Sequence, residues 1–405
     1  VSHPVHRLAV QPPPAPTTLV GPAPAEPPPL SIYAHYPWCV RKCPYCDFNS
    51  HALRGGSDAA DMERRYIDAL IADVAASAPL VAGRSVDTVF FGGGTPSLMS
   101  PASLGRVIDA IARHTALAPD AEITLEANPG TFEAARFRGF REAGANRLSV
   151  GIQSFDDAHL TALGRIHDSA EARRAIGIAQ DHFERVNLDL MYALPNQSLD
   201  AALSDVDVAL AFGPEHLSGY HLTLEPNTPF HHSPPPVPDD DTAADMQEAI
   251  EARLREAGYD NYETSAFARA GARSRHNLNY WSFGDYLGVG AGAHGKLSTA
   301  DGIVREMRHK HPQRYLDAAR RGQFVQERRS VTADELPFEF MMNALRLADG
   351  VPAAWFEART GLPLATITAE LAKARAAGLL DTDDAVLRPT PRGRRFLNEL
   401  LEIFL

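Results

Sequence analysis

Six apolar runs, each leading into polar residues and each followed by an amphipathic stretch, constrain this chain more than any other feature. The runs lie at 32–36, 86–91, 123–126, 147–153, 186–192 and 217–224. Stretches with helical spacing lie at 60–77, 101–115, 132–143, 169–183, 199–212 and 242–257. Strands alternating with helices make repeated βαβ units and a parallel sheet, so the expected class is α/β. Right-handed crossovers wind such a sheet in one direction. Six units are fewer than the eight of a closed barrel. A partial (βα)6 barrel, open on one side, is therefore expected over 31–260, with a doubly wound sheet as the alternative.

The flanking regions differ. Residues 1–30 hold ten of the 31 prolines. Proline fixes φ and lacks a backbone donor, so this stretch is expected to be an extended, poorly ordered tail. A second proline-rich insert at 234–238 reads as a surface loop. The stretch 261–329 reads as a barrel-associated extension; within it, 275–281 and 287–297 look like loop or short-strand material rich in Gly, His and aromatics. In 330–405, helical periodicity at 333–347, 353–360 and 364–376 precedes a strand-like piece at 385–387 and a helical end at 392–404. That order resembles a small, mostly helical winged-helix module.

Composition excludes several functions. No run approaches the ~18 apolar residues of a membrane span. No apolar signal core follows a basic start, so a cytoplasmic protein is expected, at a membrane only peripherally through a partner. A formal net charge of −12 argues against a sequence-independent hold on nucleic acid. The arginines at 388, 392, 394 and 395 read as a solvated face. Three cysteines cannot build a disulfide framework, and their odd number suits a reducing compartment.

All three, Cys39, Cys43 and Cys46, fall in one eight-residue window directly after the first apolar run. Inert buried cysteines would be scattered, whereas clustered thiolates converge on a metal centre. Two centres fit. A structural zinc needs a fourth ligand, which His35 or His51 offers. A cluster on three thiolates leaves one iron open to an exchangeable ligand.

Ligands of parallel α/β folds bind at the carboxyl ends of strands. The second run leads into Gly92-Gly93-Gly94-Thr95-Pro96 and the third into Glu126-Ala127-Asn128-Pro129. The fourth ends at Gln153-Ser154, the fifth contains Asp189, and the sixth carries Tyr220 and His221. Three glycines let a ligand approach backbone amides closely. A carboxylate within an apolar strand, such as Asp189, needs a partner. Arg165 can offer a bidentate fork to a carboxylate. Singly, these residues could be a tight turn, a solvated strand end and a surface arginine. Together they describe one concave site, for which a zinc knuckle gives no reason.

The Cys-x3-Cys-x2-Cys spacing, with Tyr45 before the third cysteine, resembles the radical S-adenosylmethionine (SAM) superfamily signature. Gly92-Gly93-Gly94-Thr95-Pro96 is similar to that superfamily's glycine motif. Four segments (33–39, 148–155, the Asp189 strand and 288–295) resemble the oxygen-independent coproporphyrinogen III oxidase family and its heme-chaperone relatives. The resemblance covers residues 31–405 and implies a partial radical-SAM barrel. It also implies a 4Fe–4S cluster on Cys39, Cys43 and Cys46, with S-adenosylmethionine on the open iron. By the same resemblance, Gly93, Gly94, Thr95 and Glu126 receive the ligand's ammonium and Arg165 its carboxylate. Gln153 and Asp189 receive its ribose, and Tyr33 and Tyr45 flank cluster and adenine. The oxidases carry a fourth cysteine where this chain has Phe48. Asp47-Phe48-Asn49-Ser50 and Arg275-His276-Asn277-Leu278-Asn279-Tyr280-Trp281 look instead like the heme-chaperone (HemW-type) branch. The resemblance thus implies heme as cargo and heme-acceptor proteins as partners, with oxidative decarboxylation of coproporphyrinogen III as the alternative. Heme needs an apolar slot and an axial ligand, most often histidine. His276 stands out because Tyr280 and Trp281 could stack on a porphyrin; the alternative is a histidine that only hydrogen-bonds locally. His294, between Ala293 and Gly295, is the lesser ligand candidate and otherwise reads as site lining.

Overall fold

The computed structural model describes residues 20–53, 59–131 and 134–405. The six expected strands are present as β1 (Leu30–Tyr36), β2 (Ser85–Gly93), β3 (Ala116–Ala127), β4 (Arg147–Gln153), β5 (Arg185–Tyr192) and β6 (His216–His221). Their middles are buried on both faces, as a parallel sheet between layers requires. Six further strands follow: β7 (Asp260–Glu263), β8 (Ala266–Ala268), β9 (Asp285–Val289), β10 (His294–Thr299), β11 (Gly302–Arg308) and β12 (Val325–Ser330). All twelve join one sheet in the order β12-β11-β10-β9-β1-β2-β3-β4-β5-β6-β8-β7.

The first six strands are parallel and stand in sequence order. A doubly wound sheet reverses its order partway, so that alternative is removed. The helices Ala59–Ser77, Pro101–His114, Ala134–Glu142 and Ser169–His182 pack successively against one another. Their starts follow local chemistry: Ser100 caps one through the Ser103 N–H, and Asp168 with Glu171 forms a capping box at another.

The extension is more regular than its sequence suggests. β9 pairs in parallel with β1, placing Leu287 opposite Ile32 and Gly288 opposite Tyr33. β10, β11 and β12 then continue antiparallel. Of the material expected as loop or short strand, 287–297 therefore extends the sheet on the far side of β1, whereas 275–281 is a helix, Arg275–Trp281, started by Ser274, which accepts the Asn277 N–H. A buried ion network ties it down. Arg308 Nε lies 3.1 Å from Asp73 Oδ1, and Arg308 Nη1 lies 2.8 Å from Glu306. Asp73 Oδ2 also accepts from the Gly290 N–H at 3.0 Å and the Tyr315 hydroxyl at 2.9 Å. The network fastens the loop after β9 to the helix Ala59–Ser77.

The C-terminal region is mostly helical. Helices Leu336–Ala344, Ala354–Thr360, Thr368–Ala376 and Leu397–Glu402 surround a core that includes Phe340, Phe356, Leu371 and Leu400. Val351–Pro352 pairs with Val386–Leu387 as a short antiparallel strand pair. Three of the four C-terminal arginines have carboxylate partners. Arg388 meets Asp381 at 2.5 Å, Arg394 meets Glu251 at 3.8 Å and Arg395 meets Glu248 at 2.5 Å. The last two join this region to the helix Asp240–Glu256.

Of the proline-rich stretch 1–30, residues 1–19 lie outside the described residues. Residues 20–30 run between the C-terminal region and the sheet. The Gly21 N–H donates to Val331 O at 3.0 Å, and the Asp285 N–H donates to Pro29 O at 2.9 Å. Among the described residues, no helix is long and apolar enough to cross a membrane.

Candidate functional site

β1 delivers its end into the cysteine loop. Trp38–Cys39 pairs in parallel with His51–Ala52, closing the loop on itself. The Cys46 N–H donates to Cys43 O at 3.2 Å, and Lys42 Nζ donates to Phe48 O at 3.0 Å. Asn49, which carried no sequence signal of its own, pins the loop from outside. Its amide donates to Ala291 O at 2.9 Å and Lys310 O at 2.8 Å.

Cys39 is buried; Cys43 and Cys46 are half-buried. Burial pushes the Cys39 and Cys46 thiols up, and the neighbouring cysteines add to the shift. One hydrogen-bond chain connects two of the three sulfurs. Arg165 Nη1 donates to Cys43 Sγ at 3.7 Å and Nη2 to Asn128 Oδ1 at 2.6 Å. Asn128 Nδ2 donates to Thr95 Oγ1 at 2.9 Å, and Thr95 bonds the Cys39 thiol. Asn128 is the residue that sequence reasoning passed over. It was legible only as one of several polar groups ending β3.

The zinc alternative requires His35 or His51 as a fourth ligand. Both ring nitrogens of His35 are engaged, Nδ1 with the Tyr33 hydroxyl at 3.1 Å and Nε2 with Asn49 O at 2.9 Å. His51 Nε2 lies 3.3 Å from Asn49 Oδ1. Among the described residues, no group of three or more His, Cys, Asp or Glu side chains, the three cysteines included, is gathered closely enough to hold a metal ion.

The other strand ends converge. Gly93 has φ of +115°, and a Cβ there would fall 2.5 Å from the His35 ring; a Cβ on Gly94 would fall 2.5 Å from Trp38 O. The turn after β2 thus needs glycine to lie against the cysteine strand. The Gly93 N–H donates to Glu126 Oε2 at 3.2 Å. Lost hydration, with Asp189 nearby, pushes the Glu126 carboxyl up to about 8. Asp189 accepts from Ser149 Oγ at 2.9 Å and Asn187 Nδ2 at 2.8 Å, and burial raises it too. Gln153 ends β4 in the left-handed region at φ 69°, a strained setting for a side-chain-bearing residue. Tyr33 stacks on Phe90, while Tyr45 packs into a small apolar cluster with Phe230.

His276 sits elsewhere. It is 1% exposed and stacks on Phe90. Thr88 Oγ1 donates to Ser31, so His276 Nδ1–H donates to Thr88 at 2.7 Å, leaving Nε2 to accept from the Tyr280 hydroxyl at 2.9 Å. Burial pushes this histidine down to about 3. The local hydrogen-bonding role weighed for it is the one these contacts describe.

A cavity of about 770 Å³ opens over the strand ends. Tyr33, Gly93, Glu126 and Cys46 line it together with Tyr280, Trp281 and Phe283, and Met342 of the C-terminal region borders it too.

This arrangement has close parallels. Residues 33–208 match the Radical SAM superfamily, and residues 331–396 match the HemN C-terminal domain. The chain is 47% identical over 380 residues to the heme chaperone HemW of Escherichia coli (strain K12), covering 93% of this chain and 98% of that protein. It is 36% identical over 402 residues to heme chaperone HemW of Mycobacterium tuberculosis (strain ATCC 25618 / H37Rv), covering 96% and 98%. The chain belongs to the HemW family. The fold of this HemW-family chain is that of the radical SAM protein HemN, coproporphyrinogen III oxidase of E. coli. The two superpose with a TM-score of 0.78 at 24% identity, covering 93% of this chain and 90% of the other.

The residues fit the cofactors this fold family carries. A thiolate-bound cluster wants donors near its sulfurs, and Arg165 and Thr95 supply them. A zwitterionic ligand wants unpaired polar groups, and Arg165 Nε and Gln153 Oε1 are buried without partners among the described residues. Glu126 is a carboxyl with no cation beside it among the described residues, which is the group an ammonium would complete.

Proposed function

We propose that this chain is a heme chaperone that binds heme and hands it to acceptor proteins, respiratory ones among them, in the cytoplasm. Full-length identity to HemW proteins supports this over coproporphyrinogen III oxidation. So does Phe48, an aromatic where the oxidases carry a thiol. The observation that carries the reading is the cavity itself. Cys46 and Glu126 share its wall with Trp281 and Phe283, so a cofactor end and an aromatic end open into one space. Its volume falls within the roughly 300–1,000 Å³ of ordinary ligand sites.

Under this reading, Cys39, Cys43 and Cys46 hold a 4Fe–4S cluster, which supplies one electron and an open iron to S-adenosylmethionine. Glu126 takes the ammonium of that ligand, with the Gly93 and Gly94 backbone alongside. Arg165 faces its carboxylate through Nε, since Nη2 is committed to Asn128 and Gly151 O. Gln153 and Asp189 meet the ribose hydroxyls. Tyr33 and Tyr45 close the two flanks and limit water. Thr95 acts one step back, through the Cys39 thiol. The sheet supports the finer reading of β1–β6 as a partial (βα)6 barrel, because six consecutive parallel strands wind one way. Three helices and a short strand pair support a winged-helix-like C-terminal unit.

The test is a hemin titration of the full chain, followed by transfer to an apo-hemoprotein. The expected result is a Soret shift saturating at one equivalent and recovery of the acceptor's spectrum. No shift, or turnover of coproporphyrinogen III with S-adenosylmethionine and reductant, would overturn the reading.

A further inference from the structure

Part of the cavity lining lies outside the residues read above as holding the cluster and S-adenosylmethionine. Its composition is nonetheless specific. Phe48 is 62% exposed and Met342 is 39% exposed, although one belongs to the cysteine loop and the other to the C-terminal region. Both border the same space as Trp281. Large apolar side chains left open on two facing elements mark a surface that something apolar covers.

The cations of this wall fall into two kinds. Lys296 is paired with Asp285 at 2.9 Å, and Arg305 with Glu339 at 2.6 Å. Lys42 and Lys310 have no carboxylate partner among the described residues, and both are exposed at the rim. Two ammonium groups without a carboxylate among the described residues, Lys42 holding only the Phe48 carbonyl, stand beside an open apolar wall and match a flat apolar ligand that carries two carboxylates.

Three histidines line the cavity: His35, His51 and His294. The first two spend ring nitrogens on Tyr33 and Asn49. The His294 ring makes no hydrogen bond among the described residues. Its backbone is well held, because it opens β10 opposite Met307, and the preceding Gly290–Ala291 turn is tied to Asp73 and Tyr66. Asn49 joins that turn to the cysteine loop. An imidazole with unengaged nitrogens on a well-held backbone is what an axial ligand requires.

We propose that heme is carried here, with its iron on the His294 imidazole, its ring against Phe48, Trp281 and Met342, and its propionates on Lys42 and Lys310. The proposal rests on the heme-carrying reading and names the seat within it. His276 then positions the aromatic wall through Tyr280 rather than touching iron.

Hemin titrations of the full chain test it in two arms. Wild type should give a shifted Soret band at one equivalent. His294→Gly should lose that band position, and added imidazole should restore it, which a purely structural defect would not allow. A His294→Gly protein with the wild-type spectrum overturns the ligand, as does a His276→Gly protein that loses the band and regains it with added imidazole. A wild-type protein that shows no shift instead removes the heme-carrying reading itself. In the second arm, Lys42→Ala and Lys310→Ala should each weaken hemin by about tenfold, as expected for a charge-assisted bond. Both should leave hemin dimethyl ester unaffected. Equal losses for both ligands, or none for either, overturn the propionate seat.

Discussion

β3 carries two glutamates on one face, four residues apart, and they have opposite fates. Glu122, toward the amino end, is 2% exposed and meets Arg185 at 2.7 Å. It also accepts backbone N–H groups of Arg275 at 3.2 Å and His276 at 3.1 Å. Burial alone would raise this carboxyl, but Arg147, Arg185 and those donors outweigh burial and hold it below the usual range. Glu126, at the carboxyl end, has one backbone donor and no cation among the described residues, and rises to about 8. The same residue type on the same strand is completed by the protein at one end and left incomplete at the other. Asp73 and Asp285 are completed as well, by Arg308 and by Lys296 with Arg84. Charges that hold the scaffold are paired within the chain. The Glu126 carboxyl has no such partner among the described residues.

The largest expected effect breaks the completed member. Glu122→Gln should cost about 3 kcal/mol of stability at neutral pH, the lower end for a broken buried pair, because Arg185 retains some solvent. Urea unfolding measures it; a loss below about 0.5 kcal/mol would remove the contrast. Wild-type stability from this pair is present above the ordinary carboxylate range and fades as pH falls through the depressed value of Glu122.

Glu126→Gln should behave in the reverse sense. A carboxyl raised from 4.5 to about 8 loses its advantage as pH climbs between those values, because the unfolded chain ionises first. The variant should therefore match wild type near pH 4 and be the more stable of the two near pH 8. A variant that is less stable at the higher pH would show that Glu126 is already paired.

A smaller effect sharpens the same point. Near pH 7 the free Glu126 is mostly protonated, so capturing an ammonium should release about one proton per chain. Calorimetry of S-adenosylmethionine binding to reconstituted protein, in buffers of different ionisation enthalpy, reads this number. Glu126→Gln should abolish it; unchanged release would place the proton elsewhere.

Much of this contrast was legible in the sequence. The first six strands announce themselves by local apolar runs, and the cysteine triad and Glu126 follow them at fixed offsets. What lay hidden depends on distant pairing. β9 joins β1 across some 250 residues, as Tyr33 opposite Gly288 illustrates. β12, Val-Gln-Glu-Arg-Arg-Ser, is exposed at every position, so it has no alternation to read. Asn128 acquires its meaning from Arg165 and Thr95, which reach it from other strand ends. His276 looked available because its local sequence names Tyr280 but cannot name Thr88, 188 residues away.

The most direct measurement is electron paramagnetic resonance after anaerobic reconstitution with iron and sulfide, with and without S-adenosylmethionine. The wild-type chain should show a reduced-cluster signal whose shape changes when the ligand is added. Cys39→Ser, Cys43→Ser and Cys46→Ser should each lose both. A signal that survives in those variants, or one that S-adenosylmethionine leaves unaltered in the wild type, would contradict a site built from three thiolates and an unfinished set of strand-end charges.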